Sequence, residues 1–151
     1  MAHFIRRPAD AGLYDEDFAA WAAKQATHAR AGRAAALDLD HIAEELEGVN
    51  VSLRNEIESR LAIILLHLLK MVHQPSHRTR SWQVTVGTQR LDIKRVIRRN
   101  PSLGAYSAKC LADAYADARK LASLETGLEA ATFPETCPFT VEQALDEDWL
   151  P

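Results

Sequence analysis

The chain has 151 residues, 47% apolar and 26% charged, with a net charge of −3. That length fits one domain with a core of its own, and the composition excludes disorder. Cys110 and Cys137 are the only cysteines, too few for a Cys-rich metal site. With no apolar stretch of signal length at the N-terminus, they point to a reducing, cytoplasmic setting.

Residues 1–12 read as an N-terminal extension. A first helix is predicted after Asp15, as N-cap, to about Ala31; Phe18, Trp21, Gln25 and His28 share a face, and Gly32 stops it. A second helix opens at Asp38 or Asp40. Ile42, Leu46, Val49, Leu53, Ile57, Leu61, Leu65, Leu68 and Val72 then recur at helical spacing. Gly48 and Asn50 interrupt this run. One kinked helix and two helices with a tight turn both fit; a break near Gly48 to Ser52 is favoured, with Ser52 capping the second piece. Pro75 ends the helix, because the residue before proline is pushed out of helical geometry. The part around Ile63 to Leu69 is apolar on every side, yet too short to span a bilayer, which needs about 20 residues.

The stretch from Ser81 to Asn100 begins with strand-like alternation. Read as a helix, it gathers Trp82, Val86, Ile93, Val96 and Ile97 on one arc and Arg90, Lys94, Arg95, Arg98 and Arg99 on the other, so helix is predicted. Asn100 and Pro101 form a boundary, and Ser102 caps a further helix to about Ser123, with Leu103, Tyr106, Cys110 and Leu121 on its buried side. The remainder, 125–151, has proline punctuation, no basic residue, and at most two short helices, one of them from Thr140 to Asp146. The expected fold is all-α: one bundle of about four principal helices with a short-helical acidic tail packed on it.

Along this order runs a set of motifs: Tyr14 to Phe18 then Trp21; Leu37 to Asp40 then Glu44 to Glu47; Ser59 to Leu61; His67 to Lys70; Gln74 with Pro75; Ser81 with Trp82; Gln89 with Arg90. Pro101 to Leu103, Ala114 with Tyr115, Glu125 to Leu128, Phe133 with Pro134, Cys137 with Pro138, and Glu142 with Gln143 continue it. In these residues the chain, from about Tyr14 to Pro151, resembles the bacterial domain-of-unknown-function family twenty-nine. The resemblance implies a small all-helical bacterial protein of unassigned activity, and it supplies no catalytic residue. Where that family carries Gly near Asn50 followed by charged residues, this chain has Val51 and Leu53.

Residue chemistry marks out two candidate sites. Glu56, Arg60, His67 and Gln74 fall on one helical strip with Lys70 at its edge. If the chain reverses near Gly48, His41, Glu44, Glu45 and Glu47 lie beside that strip. His41, Glu44, Glu45 and His67 would then form an imidazole and carboxylate set of the kind that binds metals inside bundles. A single straight helix would instead set Glu44 and His67 about 35 Å apart. The alternative is internal pairing of Glu44 or Glu47 with Arg60 or Lys70. The second candidate is the basic face formed by Arg78, Arg80, Arg90, Lys94, Arg95, Arg98 and Arg99, which can neutralise phosphates of a nucleic acid. The alternative is that the acidic tail, or the acidic helix from Asp38 to Glu47, covers it.

No Gly-rich phosphate loop, nucleophile elbow or His-Glu-x-x-His pattern occurs. The leading expectation is therefore a non-enzymatic scaffold or protein-interaction module, self-associating as a homo-oligomer and without a membrane partner. The alternatives are a nucleic-acid-associated protein and a metal-dependent hydrolase. No cofactor is assigned.

Overall fold

The computed structural model describes Pro8 and residues 10–151, so most of the expected N-terminal extension lies outside the described residues. The chain is all-α, with seven helices and no strand among the described residues. They are α1 (Leu13–Glu16), α2 (Phe18–Arg30), α3 (Leu39–His73), α4 (Arg80–Arg99), α5 (Tyr106–Lys109), α6 (Leu111–Thr126) and α7 (Val141–Leu145). They group into two compact units, Met1–Val51 and Ser52–Pro151.

In the first unit α2 starts two residues later than predicted. Asp17, not Asp15, is its N-cap, accepting a bond from the Ala20 N–H at 3.0 Å. Asp15 falls instead within the single turn of α1. Gly32 takes a left-handed φ of 65° just past the helix end, as expected of a residue without a Cβ.

The favoured break near Gly48 is corrected: α3 is one uninterrupted helix of 35 residues. A helical Gly costs about 1 kcal/mol relative to Ala, which helical bonding on both sides outweighs here, and Ser52 lies inside the helix rather than capping one. Pro75 does end it, opening a short 3-10 turn.

The second unit is built around the later half of α3. Ile57, Leu61, Ile64, Leu65, Leu68 and Leu69 are all fully buried there. Because this stretch is apolar all round, neighbours cover it on more than one side. Val86 and Ile93 of α4, Ala114, Ala118 and Ala122 of α6, and Phe133, Phe139 and Ala144 of the tail share its core. Helix wins over strand for α4, with Thr79 capping the Trp82 N–H at 3.4 Å.

The predicted helix from Ser102 to Ser123 is corrected to three pieces. Pro101–Leu103 is a 3-10 turn, α5 is one turn, and the chain breaks at Cys110 before α6. Proline at the first position and Gly104 behind it leave that stretch without a continuous ladder. Leu121, expected inside, is exposed; the inward face of α6 is made of alanines with Tyr115. The tail helix α7 has a full capping box between Thr140 and Gln143.

Candidate functional site

The polar strip of α3 resolves into separate partnerships within the second unit. Arg60 donates to Glu56 at 3.0 and 3.1 Å, and to Gln89 at 3.1 Å and Asp92 at 2.8 Å on α4. Lys70 is buried, donates to Glu125 at 2.6 Å, and stands 4.5 Å over the Trp82 ring. The indole face thus stabilises a cation taken out of water. Gln74 reaches the Thr126 carbonyl. His67 donates from Nδ1 to the Ile63 carbonyl one turn back, at 2.9 Å. Arg60 and Lys70 are therefore paired internally, but with Glu56, Asp92 and Glu125 rather than with Glu44 or Glu47. Beside Arg60 lies a cleft of about 160 Å³, lined by Glu56, Asp92, Arg95 and Arg99 among others. It is smaller than the usual small-ligand pocket of roughly 300–1,000 Å³.

The basic residues of α4 also divide. Arg90, expected on the exposed face, is 2% exposed. Its guanidinium donates through Nε to the Ala144 carbonyl at 2.8 Å, and through its two terminal nitrogens to Trp149 at 2.9 Å and Gln143 at 3.1 Å. Burial lowers its pKa, and the carboxylates of Asp146 and Glu147 work against that. The fork of N–H groups on Arg90 is what fastens α7 and the chain end to α4. Lys94 pairs with Glu147, and Arg78 donates to the Pro151 carbonyl at 2.8 Å. Arg95 pairs with Asp92 on its own helix at 2.6 Å. Arg80, Arg98 and Arg99 are exposed and form no ion pair among the described residues. The acidic tail thus covers part of the basic helix, and sequence reasoning missed that Arg90 belongs to the core. Its apolar neighbours on the buried arc, Val86 and Ile93, flank it at helical spacing and were the available signal.

In the first unit His41 and Glu45 sit in an aromatic cluster. The buried Asp38 carboxylate accepts from the Trp21 indole N–H at 3.2 Å and from His41 Nδ1 at 2.7 Å. Burial raises its pKa, but these two bonds outweigh burial and hold it below the usual carboxylate range. Tyr14 stacks on the His41 ring at 3.9 Å and donates to Glu45 at 2.5 Å. That hydrogen bond, with burial second, pushes the Tyr14 phenol to about 12. Glu44 and Glu47 are exposed. The metal set of His41, Glu44, Glu45 and His67 required a reversal at Gly48 that α3 does not make. No three His, Cys, Asp or Glu side chains among the described residues are placed to share a metal ion.

The sequence pattern alone also left a surface unnoticed. Leu39, Ile42, Leu46 and Val49 recur at three, four and three residues along the first part of α3, so they form one stripe. Leu39 is 63% exposed, Leu46 67% and Val49 58%. Scattered apolar side chains on a surface are ordinary; a continuous row of them on one helix face is not. Glu45 borders one side of the stripe, held there by Tyr14, whereas Asp40 and Glu47 lie toward the opposite face of the helix.

Both thiols are unsuited to nucleophilic chemistry at neutral pH. Burial pushes Cys110 up to about 11, with Glu58 adding to it, and burial raises Cys137 as well. No described helix is long and apolar enough to cross a membrane.

No curated protein matches this chain, and no solved structure does. The family model described as domain of unknown function DUF29 matches residues 13–150, nearly the whole length, with α1 through α7 inside the match. The all-helical architecture and the motif order therefore have one source: the chain belongs to the DUF29 family.

Proposed function

We propose that this protein is a non-enzymatic interaction module whose working surface is the apolar stripe of Leu39, Ile42, Leu46 and Val49 on α3. The observation that carries the reading is that Leu39, Leu46 and Val49 are exposed in a row at heptad-like spacing, with Ile42 part-buried between them. Such a face is the half of a helix–helix interface that a partner completes. The polar groups favour the same reading from the other side, since Arg60, Lys70, Asp38 and Arg90 are all spent on internal bonds. Two free cysteines fit a bacterial cytoplasmic location.

Nucleic-acid binding is the weaker reading. Arg78, Arg90, Lys94 and Arg95 already bond within the protein, which leaves Arg80, Arg98 and Arg99 as uncommitted charges.

The test is photo-crosslinking in living cells from a reactive residue placed at Val49, with one at exposed Lys120 as control. The expected result is one or a few discrete adducts from position 49 that disappear with Leu46→Glu. Adduct patterns identical at the two positions would refute the reading.

A further inference from the structure

We propose that the depression on α4 lined by Leu91, Lys94, Arg95 and Arg98 binds an oligophosphate group, and that Glu147 of the tail stands in for one of its oxyanions. This site goes beyond the docking reading and does not depend on it.

Three of the four lining side chains are cations. Lys94, Arg95 and Arg98 lie within five residues of α4, so their stems leave the helix within about 6 Å along its axis. The depression is open and holds about 410 Å³. That is within the usual small-ligand range of roughly 300–1,000 Å³, which the cleft beside Arg60 does not reach. Leu91 is its only apolar lining, so charge and not apolar burial holds the occupant.

Cations this close repel one another unless an anion stands among them. Carboxylates of the chain answer the need only in part. Asp92 is shared, one oxygen accepting from Arg95 at 2.6 Å and the other from Arg60 at 2.8 Å. Arg98 is exposed and has no acidic partner among the described residues. The helix dipole favours Arg98 in the last turn, but its effect fades within that turn and does not account for Lys94 and Arg95.

Glu147 shows what the site accepts. Its carboxylate pairs with Lys94, and both side chains are about half-exposed. A pair so exposed to water contributes little and gives way to a more highly charged anion. Phosphate oxygens supply that charge and fit the guanidinium forks of Arg95 and Arg98.

A short phosphate chain is favoured over a nucleic acid by what surrounds the depression. Arg90 fastens the tail to α4 through the carbonyls of Gln143, Ala144 and Trp149. Asp146 and Asp148 therefore flank Glu147 on that side and repel a longer polyanion. Along α4 the next exposed cation is Arg80, about 21 Å from Lys94, with exposed Val84 between them. Several linked phosphates satisfy three clustered cations; a nucleic acid running on would meet carboxylates or valine.

The experiment is isothermal titration calorimetry of the full chain with inorganic tripolyphosphate, at low and at physiological ionic strength. Wild type is expected to bind, and less tightly as salt rises. Lys94→Gln with Arg98→Gln should bind about tenfold more weakly or not at all, and Arg98→Gln alone, which breaks no bond of the fold, about threefold more weakly. Arg80→Gln removes an equal charge outside the depression and should bind as wild type does. Glu147→Gln frees Lys94 and should tighten binding about threefold, whereas Glu135→Gln should not. Circular dichroism checks that each variant is folded.

No binding of tripolyphosphate at low ionic strength would overturn the proposal. So would equal losses from Arg80→Gln and Arg98→Gln, which would mean a diffuse field in place of a site. Binding unchanged by Glu147→Gln would remove Glu147 as the resident anion, and inorganic phosphate binding as tightly as tripolyphosphate would overturn the need for a chain of phosphates. Mixed-sequence duplex DNA that binds more tightly than tripolyphosphate, and is weakened equally by Arg80→Gln, would give the length of α4 to nucleic acid instead.

Discussion

The two halves of α3 are continuous in backbone and opposite in fate. From Ile57 to Met71 almost every apolar side chain is buried by α4, α6 and the tail, and the polar residues among them have partners. From Leu39 to Val49 the apolar side chains keep the same helical spacing, yet Leu39, Leu46 and Val49 remain in solvent. Hydrophobic periodicity therefore reports that a face is meant to be covered, not that its own chain covers it. The later half is buried in its own fold, and the earlier half carries the face we propose for association.

The largest effect is expected where the tail is fastened to the later half's unit. Arg90→Ala leaves the carbonyls of Gln143, Ala144 and Trp149 without their donor and empties a fully buried site. It should destabilise the protein by about 4 kcal/mol in urea unfolding, and Arg90→Lys should recover only part, because an ammonium has no fork. A loss under about 1 kcal/mol would show that the tail is held by its apolar residues alone. Leu65→Ala, in the all-apolar turn, should cost about 3 kcal/mol by the cavity it leaves. Glu125→Ala removes the partner of buried Lys70, but Glu125 is itself half-exposed and the Trp82 face remains. About 1 kcal/mol is expected, read as a shift of the same unfolding curve.

The smallest effect sharpens the comparison at the other end of α3. The folded-state pKa of Asp38 lies below its unfolded value, so its contribution is present above an unfolded pKa of about 3.9 and is lost as pH falls through the lower folded value. Asp10, held low by Lys24 and then His28, acts in the same direction. The Trp21 indole proton resonance should therefore stay constant down to about pH 4 and move only below it. A midpoint above pH 4 would contradict the hydrogen-bond account of this cluster.

The all-α class and the ends of most helices were legible because caps and breakers act locally. Gly32, Pro75, Pro101 and Thr140 do what their backbone chemistry requires wherever they occur. Gly48 was misleading for the same local reason: its intrinsic penalty is real, but the helical bonds on both sides outweigh it. Arg90 could not be placed from charge alone. Its bonding partners are three carbonyls more than 50 residues away in sequence, and the only local hint was its place between Val86 and Ile93 at helical spacing. The internal pairing of Arg60 and Lys70 was foreseeable in kind, whereas the choice of Asp92 and Glu125 as partners depends on how α4 and α6 pack. The exposed stripe was hidden by its own regularity, because Leu46 and Val49 continue the pattern of Leu61 and Leu65 without a change of period.

In the proposed reading Leu46 holds the central place, as an association residue and not a folding residue. Photo-crosslinking in living cells from a reactive residue at Val49, with and without Leu46→Glu, measures this directly, with circular dichroism to show that the variant is folded. Discrete adducts are expected from position 49, and they should vanish with Leu46→Glu while the fold is kept. Adducts unchanged by Leu46→Glu would contradict that assignment.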